Sequence, residues 1–310
     1  MTYRIRGGIA MALVVEDGTG KTDAESYETV DAADTYLEKW EDPPPAIWFG
    51  TKAVGSLSLE VIPTDTETVT IGTKVYTFKD VIGADDGHVF IGASVAASRT
   101  NLLAAVNLSG TAGTTYGSGT TEHPDVEGLS IEGAVLFFGA KLYGDIGNGI
   151  ATTETLAGTG NEWGAATLAS GADPTLDDSA KERHLRLATQ RIDVEGGENW
   201  KGAKLIYNQA LAHPKIDVYD SEGNWIEYSP LPAVLRRSTS LLALASANGD
   251  DLYPDLTDSG SLKSKTIRIE GAVTIKKDWT GAGNPPTKEY SLAMALLAPL
   301  LDASDRIYRA

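Results

Sequence analysis

Cysteine is missing altogether from this 310-residue chain, which excludes disulfides, thiolate metal sites and cysteine nucleophiles together and fits a protein that matures in a reducing cytoplasm. Histidine is scarce: His88, His123, His184 and His213 never stand three or four positions apart, so the sequence holds no helical metal pair. His123 and His213 precede prolines and mark turns, while His184, within Lys181-Glu182-Arg183-His184, is expected on a solvent face. No apolar run approaches the roughly 20 residues needed to span a bilayer. The short run Ile9–Val15 passes straight into Glu16 and Asp17, which argues against a secretory signal. A soluble protein with no membrane partner is expected. Positive charge is also in short supply, with 26 basic against 43 acidic residues and a formal charge of −17. Such a field repels phosphate backbones, so no specific DNA binding is expected of the chain as a whole, and it serves solubility equally well.

The composition is globular, 42% hydrophobic and 22% charged, and the length exceeds what one core usually fills, which predicts two domains. Val30, Ala33, Leu37 and Trp40 recur at helical spacing, and Pro43-Pro44-Pro45 stops that helix. From about Thr51 the texture becomes β-rich: Ser56–Ile62, Thr68–Ile71 and Lys74–Phe78 read as strands, with a tight hairpin at Gly72-Thr73. Ser94 caps a predicted helix running to about Leu108, with Gly110 just past its end, and Ser130–Leu142 supplies further strand. Beyond Pro174 the helical period returns over 176–194, capped by Thr175 or Asp177. A second helix opens at Pro230 and Pro232 with a stripe of Val234, Leu235, Leu241, Leu242 and Ala245, and a third covers Ser291–Leu301. Lys263–Ile275 alternates in the manner of a half-buried hairpin. The predicted fold class is a multidomain α+β protein: a mainly α-helical bundle adaptor domain, 1–51 and 172–310 with a β-hairpin near 263–278, interrupted by a small inserted α+β (β-rich) domain, 52–171.

Motifs with catalytic meaning do not assemble. Gly18-Thr19-Gly20-Lys21-Thr22 resembles the end of a phosphate-binding loop, but Val15 stands where the first glycine belongs, so a plain turn is the better reading. Asp85-Asp86 and Asp177-Asp178 lack the alternating ligands and closing glutamate of a calcium loop. Gly117-Ser118-Gly119 is too short for a nucleophile elbow. The chain is therefore read as a non-enzyme without cofactor or metal. Among the tryptophans, Trp48 and Trp163 flank the insert and Trp200, Trp225 and Trp279 follow it. Only Trp200-Lys201 and Lys276-Lys277-Asp278-Trp279 set basic residues beside them, so packing is favoured over base stacking.

Met11-Ala-Leu-Val-Val-Glu-Asp-Gly-Thr-Gly20, Ser26-Tyr27, Asp31-Ala-Ala-Asp34 and Tyr36-Leu37 resemble the opening of a phage family labelled DnaT-like single-stranded-DNA-binding protein. Leu187–Asp193, Trp200-Lys-Gly202, Gln209–Pro214, Ile226–Pro232 and Leu296–Leu301 follow its order. The insert, through Asp65–Gly72, Asn101–Asn107, His123-Pro-Asp125 and Gly147–Leu156, looks like a module of phage structural proteins. The resemblance implies a virion protein of the neck, assembled in the host cytoplasm: a head-to-tail connector forming a homo-oligomeric, dodecameric ring that contacts the portal protein and the next neck or tail-completion protein. Partner contacts are expected at Lys276, Lys277, Trp279, Arg306, Tyr308 and Arg309. The alternative is a single-stranded-DNA-binding phage replication accessory protein, as the family label says.

Overall fold

Proline placement and the return of a 3.6-residue period divide the chain, and the computed structural model divides it likewise into two units: residues 1–42 with 176–310, and residues 43–175. The sequence reading sets these boundaries at 51/52 and 171/172. The structure describes residues 12–253, 264–269, 273–278 and 291–302. Among them are six helices and several sheets, a mixed α+β architecture. No helix among the described residues is long and apolar enough to cross a membrane.

Helix α1 (Val30–Trp40) begins where the Thr29 hydroxyl accepts the Ala32 N–H and buries Ala33 and Leu37. Unit 43–175 opens with the short α2 (Ala46–Phe49). One four-stranded antiparallel sheet has the order β5-β6-β1-β8, formed by β1 (Lys52–Ser58), β5 (Val126–Glu132), β6 (Val135–Tyr143) and β8 (Glu162–Trp163). The other, in the order β4-β3-β2-β7, comprises β2 (Thr68–Ile71), β3 (Lys74–Lys79), β4 (His88–Phe90) and β7 (Thr152–Glu154), with only β3 and β4 parallel. The β2–β3 turn is two residues long, and Gly72 takes φ +56° at its first position, where a side chain would be strained. Period-two alternation buries Val69, Ile71, Tyr76 and Phe78 with Leu57, Leu136 and Phe138 in one apolar cluster, which α3 (Val95–Asn107) completes with Leu102, Ala105 and Val106. Helix α3 ends on Leu108 in the left-handed region at φ 52°, two residues before the glycine that the sequence offered. The stem of this unit is closed: Thr51 and Ala172 exchange two backbone hydrogen bonds of 2.8 and 3.2 Å.

The remaining elements belong to the first unit: α4 (Asp178–Gly196), β9 (Ala203–Lys204), β10 (Lys215–Ile216), α5 (Ala233–Ala247), the hairpin β11 (Ser264–Ile269) and β12 (Val273–Asp278), and α6 (Ser291–Leu296) with a short 3-10 turn after it. Asp177 caps α4, accepting the Ala180 N–H at 2.7 Å. Of the four helices expected, α1, α4 and α5 form, while the last shortens to the six-residue α6 with the 3-10 turn Ala298–Leu300 in place of its end; a helical-bundle core is not shown. A long connection holding only two-residue strands fills 197–232. The stripe on α5 is met in part: Leu235 and Leu242 are buried, Val234, Leu241 and Ala245 are half-buried, and Ser238, Thr239 and Ser240 are inside as well. Their hydroxyls donate within reach, Ser238 to the Ala293 carbonyl at 2.7 Å and Thr239 to Leu235 at 3.0 Å, so polar residues satisfy a buried face that hydrophobicity alone would not mark.

Candidate nucleic-acid interface

The segment between α4 and α5 is short of regular structure and is held by buried polar groups. Trp200 lies on the end of α4, where a Cβ on Gly196 would come within 2.0 Å of its ring; only glycine permits that approach. Its backbone pairs with Leu301, and the His213 ring meets it edge-on at 4.6 Å. Tyr27 donates its hydroxyl hydrogen to Asp193 on α4 and accepts the His213 N–H at 3.1 Å, while Asp193 also takes the Ala212 N–H at 3.0 Å. Burial pushes the Asp193 carboxyl up and, most strongly, drives His213 down to about 3, so that imidazole is neutral.

Gln209 organises the loop from β9 to β10. Its side-chain amide donates to Leu211, Ala212 and Pro214 carbonyls, and its Oε1 accepts the Ile206 N–H at 3.0 Å. With the loop held from inside, Tyr207 stands out at 98% exposure. Strand register sets Lys204 directly opposite Lys215. Burial first, and then the Lys204 charge, pushes the Lys215 ammonium down. Each of these two lysines reaches only a carbonyl, Gln209 or Gly202, at 3.3 Å, and neither has a carboxylate in salt-bridge range among the described residues. Lys201 sits beside them with its Nζ on the Tyr219 and Pro299 carbonyls, both at 3.0 Å. Tyr219 and Trp225 pair across a turn closed by Asp220 and are about half exposed. Three ammonium groups and three exposed aromatic rings thus fall within residues 201–225, with Asp217, Asp220 and Glu222 among them and Glu227 just after.

Lys276 and Lys277 lie in β12, opposite Thr266 and Lys265; Trp279, Arg306, Tyr308 and Arg309 lie outside the described residues. The phosphate-loop look-alike does form an amide nest, but the buried Glu16 carboxylate fills it, accepting N–H groups of Asp17, Gly18, Gly20 and Lys21 at 2.8–3.1 Å. His184 is not on a solvent face: its Nδ1 meets the Ser246 hydroxyl on α5 at 2.9 Å. His123 is buried, with Nδ1 accepting the Asp125 and Val126 N–H groups and Nε2 facing the Ile71 carbonyl at 3.0 Å. Trp48 and Trp200 are core residues, whereas Trp225 and Trp40 are exposed. Lys204, Lys215, Tyr207 and Gln209 escaped the sequence reading. Their one signal there was Trp200-Lys201, a basic residue beside an aromatic in a chain poor in such pairs.

No curated protein and no solved structure matches the chain. A family model does, over residues 11–41 and 157–310, with the description "Putative DnaT-like ssDNA binding protein". The gap in the match, 42–156, falls within the unit 43–175 except for its first residue, and the match resumes before that unit ends. This finding overturns the connector expected above: the matching family is described by single-stranded DNA, and no connector family is found. Matched over more than half its length, the chain belongs to the DnaT-like family.

Proposed function

We propose that this protein binds single-stranded DNA through the surface formed by Lys201, Lys204, Lys215, Tyr207, Tyr219 and Trp225. The observation that carries this reading is the family match, whose second segment includes all six residues. The local chemistry supports it. Nonspecific single-strand binding combines ammonium groups that track the backbone with aromatic faces on which bases stack, each base contributing about 1–3 kcal/mol. Two opposed lysines with no carboxylate in salt-bridge range among the described residues repel one another, Asp193 offsetting part of this from further off, and a phosphate between them relieves the rest. The net charge of −17 opposes attraction at long range, so binding rests on short contacts. Anisotropy of a labelled oligothymidylate measures this. Saturable binding at low salt is expected, with a slope of log K against log salt no steeper than about −1.4, the value for two phosphate contacts, at Lys204 and Lys215, on a single strand. Tyr207→Ala is expected to weaken binding about 5- to 150-fold, the equivalent of one stacked base, and K204E/K215E to abolish it. Absence of binding at low salt sinks the proposal.

A further inference from the structure

Beside the lysine surface, and reached by Lys201, a groove of about 890 Å³ is lined by Ile226, Leu231, Val234 and Leu301 together with prolines 230, 232 and 299. Its charged lining is mostly acidic. The Asp220 carboxylate is already satisfied by its own turn, accepting the Glu222 and Asn224 N–H groups, but Glu222 and Glu227 have no cation in salt-bridge range among the described residues. Of the two cations in the lining, Lys201 is committed to backbone carbonyls, and Arg236 reaches Glu28 only at 3.9 Å. An apolar, proline-walled groove with two free carboxylates fits a short peptide that sets aliphatic or aromatic side chains between two cations, and it repels a phosphate backbone.

This chain carries such a peptide, Arg306-Ile307-Tyr308-Arg309. The path of the chain toward it decides which copy supplies it. Lys201 donates its N–H to Leu300, Leu301 bridges Trp200 antiparallel, and Asp302 donates to Asn199 at 2.8 Å. The backbone therefore runs from the groove residue Lys201 back toward Asn199, away from the groove, at the point where the segment begins. We propose that the groove receives the Arg306–Arg309 segment of a second copy, the arginines meeting Glu222 and Glu227 and Ile307 and Tyr308 covering the prolines. Donor and acceptor surfaces differ, so the contact is head-to-tail and can recur along a series of copies.

The test uses the full chain and a labelled peptide of residues 302–310. The acceptor is the R306E/R309E chain, whose own segment no longer competes. Saturable binding is expected, weakened at least tenfold when the peptide carries the same two substitutions, and again when the acceptor also carries E222K/E227K. The peptide substitutions leave the acceptor untouched, so a misfolded E222K/E227K chain does not blunt the test. Sedimentation of the unaltered chain is expected to show mass rising with concentration, and R306E/R309E to remove that rise. Absence of peptide binding, or binding indifferent to both pairs of charges, overturns the proposal. Peptide binding by a chain that stays monomeric at every concentration overturns the second copy and assigns the groove to the chain's own segment. Neither measurement contains nucleic acid, so failure of the DNA-binding reading leaves this result intact.

Discussion

The two units bury different chemistry. In residues 43–175 the interior is dominated by one continuous apolar cluster, Leu57, Val69, Ile71, Tyr76, Phe78, Leu102, Leu136 and Phe138 among its members, drawn from both sheets and α3, with Glu67, Ser98, Thr120, His123, Thr152 and Asn161 buried as well. In the other unit the interior includes Glu16, Glu28, Lys181, Thr189, Gln209, His213 and Ser238–Ser240. Burial of apolar area is undirected and rewards any arrangement that excludes water. Buried polar groups stabilise only the arrangement in which their partners are met, because an unmet partner costs about 1–3 kcal/mol. The first kind of interior suits a self-contained module; the second fixes the shape of irregular loops, and the candidate interface consists of such loops.

The contrast should break most visibly in the apolar unit. Phe138→Ala is expected to cost about 3–5 kcal/mol in the unfolding of residues 43–175, seen by calorimetry as one shifted transition, with oligothymidylate affinity unchanged. Acid comes next and acts on the polar interior. His213, held at about 3 when folded against 6.5 unfolded, binds fewer protons in the native state across that window. Stability is therefore complete above pH 6.5 and falls as pH drops toward 3, by up to about 1.4 kcal/mol per pH unit. Lys215 adds to the depression of His213, while the raised Asp193 works in the opposite sense, holding an extra proton when folded. Urea midpoints between pH 7 and 4 measure the sum, and a flat profile would refute a neutral buried His213. Tyr27→Phe keeps the ring but strips Asp193 and the His213 N–H of their shared hydroxyl; a loss of about 1–3 kcal/mol is expected, together with weaker DNA binding as the 212–215 turn loosens. The smallest effect on stability is expected at Tyr207→Ala, within about 0.5 kcal/mol, although it removes a base-stacking ring.

How much of this was legible in the sequence follows the same division. Helices with a simple apolar stripe and a capping residue stood out: α1 ends at Trp40, before the prolines expected to stop it, and α4 starts beside Asp177, one of its two predicted caps. The β2–β3 hairpin was written in its alternation and its Gly72-Thr73 turn. Where small hydroxyls replace apolar residues inside, as at Ser238–Ser240, periodicity of hydrophobicity found Leu235 and Leu242 but missed the polar part of the buried face. The interface was the least legible part, because β9 and β10 are two residues each, too short to show a period, and because Gln209 acts on the loop through four hydrogen bonds that only the folded chain reveals.

The closed stem of residues 43–175 also has a mechanical meaning. Tension along the backbone must pass through this unit, entering at Pro43 and leaving at Thr175, and behind the single bond from the Thr175 hydroxyl to the Ile47 carbonyl the first backbone pairing it meets is Thr51 with Ala172, two hydrogen bonds loaded one after the other, as a zipper is. A chain pulled from its ends should therefore peel open at Gly50, where Ala172 and Pro174 pack too closely for any side chain, before the sheets that follow bear load.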